Sequence, residues 1–208
     1  MNFCLLMLAA ASSVQAFKLE AEPVKVLVYD DPDCYWCQLF VTEQLYPTYK
    51  ELGAIMDVEL NTYGFTQEPY QAKEFINNRI VECAQVYIPE TVAFLDFVAC
   101  FMPGVHDGAG CATKAGVEWD PIRTCAEGEE ERTFCMMQEL GEDAQQPSVR
   151  FYPWIAINGV GPNADAQNNL REEVCKAYAG VPPPNAVNSE EVLLESLFLA
   201  HINWTKED

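Results

Sequence analysis

Val24 to Tyr29 (VKVLVY) is a β-branched, apolar-rich run of strand length, broken by Asp30-Asp31-Pro32-Asp33, residues that end strands and cap helices. The period then changes. Cys37, Phe40, Val41, Leu45, Tyr49 and Leu52 recur at three and four, predicting a helix that Gly53 stops and Pro47 kinks. Ile55 to Leu60 reads as a second strand. Ala72 to Tyr87 is helical with Phe75, Ile76, Ile80, Cys83 and Val86 on one side, and Glu90 to Met102 is nearly all apolar, a buried helix closed by Pro103-Gly104. His106 to Gly110 reads as a loop. Asp120-Pro121 opens a short helix, and Glu127 to Leu140 another, with an acidic first turn. Trp154 to Ile157 returns to strand, and Asn158-Gly159 predicts a two-residue hairpin to a short pairing strand. A helix from about Ala166 to Ala179 follows. Beyond the stiff Val181-Pro182-Pro183-Pro184, the stripe of Val192, Leu193, Leu197 and Leu199 predicts an amphipathic helix over about 189–204.

The order is β-α-β, a block of helices, then β-β-α: an α/β chain of the thioredoxin-like kind, with a helical insertion at about 66–145. At the start, Phe3 to Ala11 is a short apolar run followed by small residues, with Val14 and Ala16 placed for signal-peptidase cleavage after residue 16. A buried N-terminal segment is the alternative. The expected mature domain is 17–208, and no run in it reaches the length of a membrane-spanning helix.

Charge narrows the partners. Lys and Arg number 12 against 32 Asp and Glu among 208 residues, a formal charge of −20. Nucleic acid and an anionic membrane surface would both be repelled. Nine cysteines in a chain this short suit an oxidising compartment, and removing Cys4 with the leader leaves an even number. Composition and leader together point outside the cytosol, into the secretory pathway. Asn203-Trp204-Thr205 is a glycosylation sequon consistent with it.

The candidate chemistry sits at Cys34-Tyr35-Trp36-Cys37, where the first strand hands over to the first helix. At a helix start, unpaired N–H groups and the dipole favour a thiolate at Cys34. Cys37, one turn on and more buried, is placed to resolve a mixed disulfide. A purely structural disulfide is the plainer alternative. Zinc lacks ligands, since no second Cys-x-x-Cys and no paired histidine exist, and no other cofactor is implied. Asp30, Asp31 and Asp33 would raise the thiol pKa, with no Lys or His near in sequence to offset them; at acidic pH they would be partly neutralised. Tyr152-Pro153 precedes the hairpin strand, where a cis-proline would face the cysteines and Tyr152 would offer its backbone to an extended substrate; an ordinary trans proline is the alternative. Cys83, Cys100, Cys111, Cys125, Cys135 and Cys175 are expected to form structural disulfides, with fifteen pairings open.

These blocks together resemble the gamma-interferon-inducible lysosomal thiol reductase family. The resemblance runs from about Val24 to Pro182. It rests on Cys34-x-x-Cys37, Leu45-Tyr46-Pro47-Thr48-Tyr49, Phe94 to Cys100, Cys125-Ala126-Glu127-Gly128, Tyr152-Pro153-Trp154 through Asn158-Gly159, and Val174-Cys175 through Gly180. It implies a secreted or lysosomal enzyme that reduces disulfides of protein or peptide substrates at acid pH. The chain departs from the family signature Cys-Gln-His-Gly-x-x-Glu-Cys-x-x-Asn-x-x-x-x-Cys. Aligned on Glu74 it keeps Asn78 and Cys83, but has Phe75 for the second cysteine and Glu68-Pro69-Tyr70-Gln71 for the opening tetrad. It reads as a divergent member with altered disulfide wiring. The rival class is a secreted, disulfide-stapled binding or structural protein in which Cys34–Cys37 is one more staple.

Overall fold

The computed structural model describes residues 21–62, 76–128 and 147–181. The expected leader, Glu74, the helix expected beyond Gly128, Cys135, the expected C-terminal helix and Asn203 lie outside them.

A three-stranded sheet of order β2-β1-β3 forms the centre. Strand β1 (Val24–Asp30) runs parallel to β2 (Met56–Thr62), from Val24 opposite Met56 to Asp30 opposite Thr62. Strand β3 (Trp154–Ile157) is antiparallel to β1, with Tyr29 opposite Trp154. Because side chains alternate across a strand, β1 serves two cores. Val24, Val26 and Val28 join the main core with Phe40, Val41, Leu45 and Leu52. On the other face Tyr29 meets Trp154 edge-to-face at 5.7 Å, beside Ala156. Each such buried side chain stabilises the fold by about 1.5–3 kcal/mol.

The hairpin turn forms as expected: Asn158 and Gly159 both take positive φ (49° and 78°), the requirement of a type I′ turn. The pairing strand does not. It shrinks to one bridge between Ile157 and Val160, because Pro162 has no N–H to continue a ladder. Gly161 also lies so close to the sheet that a Cβ there would stand 2.7 Å from the Trp154 ring.

The first helix is a composite of α1 (Tyr35–Leu39), a π-helical turn (Phe40–Leu45) and α2 (Tyr46–Leu52). Pro47 lacks the N–H that would bond the Glu43 carbonyl, and its ring would strike that carbonyl in a regular helix. The expected kink is therefore absorbed as a widened turn, in which Tyr46 N–H reaches back five residues to Val41 O.

Between β2 and β3 lie α3 (Ile76–Tyr87), α4 (Thr91–Phe101), α5 (Gly108–Ala115) and α6 (Trp119–Glu127). Helix α5 corrects the expected loop at His106 to Gly110. Asp107 caps it by accepting from Gly110 N–H at 2.9 Å, and Gly108 admits the Trp119 ring where a Cβ would clash. Val86, expected on the buried side of α3, is exposed. Disulfides staple the helices in pairs: Cys83–Cys125 joins α3 to α6 and Cys100–Cys111 joins α4 to α5. Cys175 is half-buried on α7 (Ala166–Ala177). Helix α7 breaks its regular geometry at Asn169, and Leu170 N–H instead donates to Gln44 Oε1 at 3.2 Å, tying α7 to the π-helical turn.

Candidate active site

Strand β1 ends at Asp30, and the tight Asp31–Asp33 turn delivers Cys34 to the N-cap of α1, its N–H bonded to Asp31 O at 2.9 Å. The two sulfurs differ sharply. Cys34 is half-exposed, while Cys37 is fully buried beneath it. Burial above all drives the Cys37 thiol far up from its ordinary pKa, and the negative charge of Asp30 adds to the effect. A hydrogen bond between the two cysteine side chains acts in the same direction. Asp30 is itself buried and accepts from Thr62 Oγ1 at 3.1 Å.

The second wall is the segment before β3. The Tyr152–Pro153 peptide is cis, and the Cys34 thiol points at Tyr152 O, 3.9 Å away. Gln167 Nε2 on α7 donates to Pro153 O at 3.1 Å, anchoring this segment from behind. Structure thus brings Cys34, Cys37, Tyr152 and Pro153 into one site. Beside it opens a cleft of about 420 Å³, lined in part by Trp36, Phe40, Phe151, Tyr152 and Pro153. Tyr35 and Trp36, the two residues between the cysteines, are 62% and 66% exposed and meet edge-to-face at 5.3 Å.

The third wall comes from the helical block. Asn78 Nδ2 lies 3.5 Å from Asp31 Oδ1, Asn77 Nδ2 donates to Asp33 Oδ1 at 2.8 Å, and His106 Nε2 stands 3.3 Å from the same Asp33 oxygen. Desolvation pushes the Asp31 carboxyl above its ordinary pKa, helped by the charge of Asp33 and opposed by the hydrogen bonds from Asp33 N–H and Asn78. His106 is the residue that sequence reasoning missed. No Lys or His near in sequence offsets the aspartates, but the fold brings His106 to Asp33 from the turn beyond α4. Only its being one of two histidines could have drawn attention to it. Among the described residues, no three His, Cys, Asp or Glu side chains converge as a metal-ion site.

Solved structures with the same architecture include MdbA, a thiol-disulfide oxidoreductase from Corynebacterium diphtheriae, and reduced DsbA from Mycobacterium tuberculosis. Both align with a TM-score of 0.56, at 18% and 16% identity, covering 76% and 78% of this chain and 86% and 85% of theirs. These likenesses establish the thioredoxin-like fold. Among curated proteins, the gamma-interferon-inducible lysosomal thiol reductase of Carassius auratus is 29% identical over 81% of this chain and 74% of its own. GILT-like protein 1 of Drosophila melanogaster is 26% identical over 89% and 85%. With a dithiol at the head of the first helix, this chain is a thiol–disulfide oxidoreductase. The model of the gamma-interferon-inducible lysosomal thiol reductase family matches residues 25–129, just over half of the sequence, and the chain belongs to that family.

Proposed function

We propose that this chain reduces disulfides in protein or peptide substrates at acidic pH, after entry into the secretory pathway with a lysosomal or extracellular destination. The observation that carries the reading is the asymmetry of the two cysteines: a half-exposed Cys34 aimed at the Tyr152 carbonyl, over a buried Cys37 whose thiol holds its proton. The Cys34 thiolate attacks one sulfur of the substrate disulfide, forming a mixed disulfide and expelling the first substrate thiolate. An extended substrate lies along Tyr152-Pro153, its backbone exchanging hydrogen bonds with that of Tyr152, while the aromatic cleft takes side chains flanking its cysteine. Cys37 then gives up its proton, for which the buried Asp30 carboxylate is the acceptor we assign. It attacks Cys34 Sγ and releases the second substrate thiolate, which leaves a Cys34–Cys37 disulfide. A small-molecule thiol closes the cycle by reducing that disulfide.

Acidic surroundings fit the three aspartates at the motif, whose charge opposes the Cys34 thiolate at neutral pH. The names of the relatives and the leader-like N-terminus support the destination. A reductant-driven insulin-reduction assay near pH 4.5 and near pH 7 tests the proposal. Turnover should exceed the reductant alone, with the larger advantage at the acidic value. Equality with the reductant at both would favour the rival reading, in which the pair is only a staple. The measured potential of Cys34–Cys37 then separates a reductase from an oxidase or isomerase.

A further inference from the structure

We infer that His106 is a positioning residue of the redox site, whose imidazolium clamps Asp33 and lifts that carboxylate's charge off the neighbouring Cys34 thiolate. The inference rests on the reading of Cys34 as the attacking thiol.

The imidazole is held from behind. Pro103 and Gly104 break α4, and both Gly104 and His106 take positive φ (97° and 52°), the latter a conformation L residues seldom adopt. This turn folds the ring back onto the helix it has just left. The ring centroid lies 5.2 Å from that of Phe101, and His106 Nδ1 is 3.1 Å from Phe101 O. The Cys100–Cys111 disulfide pins the same helix end to α5. From this seat His106 Nε2 faces Asp33 Oδ1 at 3.3 Å, with a side chain that is 22% exposed.

Proton counting decides which form fits. A backbone carbonyl only accepts, so Nδ1 must carry a hydrogen toward Phe101 O. An ionised carboxylate also only accepts, so Nε2 must carry one toward Asp33. Only the imidazolium satisfies both. The neutral ring, with its hydrogen on Nδ1, turns a lone pair on the carboxylate. Histidine is the side chain whose charge ordinarily changes between about pH 5 and 8.

The surrounding charges leave His106 this task. Asp33 Oδ1 accepts from the neutral Asn77 of α3, and Asp33 N–H donates to Asp31 Oδ1. Asp31 accepts from Asn78, also neutral. Asp107, next in the chain, turns its carboxylate to Gly110 N–H at the start of α5. Among the described residues, His106 is the one side chain able to carry positive charge that is seen in contact with Asp31 or Asp33. With the imidazolium in place the Asp33–His106 pair is neutral beside Cys34. Once that proton leaves, the Asp33 charge stands alone and opposes the thiolate. His106 therefore raises the thiolate share of Cys34 on the acidic side, where thiols ordinarily lose it.

The test is alkylation of Cys34 by iodoacetamide, mapped by mass, in the full chain carrying Cys37→Ser, with His106 native, His106→Gln or His106→Lys. Native over Gln should be about threefold near pH 5 and fall to about one near pH 7.5. Lys over native should mirror it, about one near pH 5 and about threefold near pH 7.5, since lysine keeps its charge. A ratio that stays constant across this range, at one or any other value, overturns the inference and leaves His106 a structural residue. Should Gln fail to support the loop, the alkaline gain of the Lys variant decides alone. Alkylation needs no turnover, so this result stands apart from the insulin assay: His106 can fail while reduction survives, and the reverse.

Discussion

The sheet with its composite helix and the block α3–α6 hold their shape by different means. In the first, apolar burial dominates: Val24, Val26, Val28, Val41, Leu45 and Leu52 are all essentially inaccessible to solvent. The block also has a buried centre, in Phe97, Val98, Phe101 and Ile122, but its four short helices are cross-linked in pairs by disulfides. The sheet side owns Cys34 and Cys37, while the block owns the polar groups that meet the acidic turn: Asn77, Asn78 and His106. Chemistry and its electrostatic setting thus come from separate parts of the chain. Damage to one should read out differently from damage to the other.

The largest effect belongs to the sheet side. Cys34→Ser should abolish reduction and trap nothing, whereas Cys37→Ser should accumulate a mixed disulfide with substrate, visible on a non-reducing gel and released by reductant. Normal turnover by Cys37→Ser would exchange or dissolve the two roles. Neither substitution touches the helical block, so thermal stability should change little by comparison.

Next in size come the staples. Removing Cys83–Cys125, whose ends are separated by 42 positions in sequence, should cost about 4 kcal/mol by chain entropy, and removing Cys100–Cys111, separated by 11, about 3 kcal/mol. Denaturant unfolding of the two double-serine variants checks the order. A larger loss for the shorter loop would show that native contacts, rather than the unfolded chain, set these values.

Smaller effects are expected at the seam. Asp33→Asn should raise Cys34 alkylation near pH 7 about threefold, through loss of one negative charge beside the thiolate. Asp31→Asn should do the same and also change the pH dependence of stability. Because the folded Asp31 holds its proton more tightly than the unfolded chain, its stabilising share is present below the ordinary value of 3.8 and is lost as pH rises through the higher folded value. The Asn variant should lack that step, so unfolding measured from pH 3 to 7 should show a flatter profile than the native chain. An identical profile would mean that the Asp31 proton is indifferent to folding.

The smallest concerns the polar tie of α2 to α4 at Asp96. Tyr46 Oη donates to Asp96 at 2.7 Å, and Lys50 Nζ reaches the same oxygen at 3.3 Å. Tyr46→Phe should cost about 1 kcal/mol, the ordinary net value of a single hydrogen bond, with the alkylation profile of Cys34 unchanged.

Local patterns made much of this molecule legible. The β-branched run of Val24 to Tyr29, the break at Asp30, the three-four repeat through Leu52 and the Asn158-Gly159 turn all act over a few residues, so the sequence displays them directly. Cys34-x-x-Cys37 could be placed at a helix head for the same reason. What escaped needed longer range or competing local causes. His106 meets Asp33 only because two positive-φ residues fold the end of α4 back on itself, a turn no periodicity encodes. The pairing of Cys83 with Cys125 depends on how α3 lies against α6. Helix α5 hides in Gly-Ala-Gly, a stretch whose propensity argues for loop; the Asp107 cap and the Trp119 ring overrule it. The missing fourth strand was lost to Gly161-Pro162, breakers that a strong turn signal just upstream overshadowed.

The placement of Trp36 between the two cysteines makes the enzyme its own optical reporter. Among the other described tryptophans, Trp154 is sealed against Tyr29 and Ala156 and Trp119 packs against Phe97. Trp36 is largely in solvent and within one helical turn of both sulfurs. Thiolates and disulfides quench indole emission to different degrees, so opening and closing of the Cys34–Cys37 bond will modulate this ring more than the other described ones. Its emission offers a label-free signal for following the pair through each half-reaction in real time.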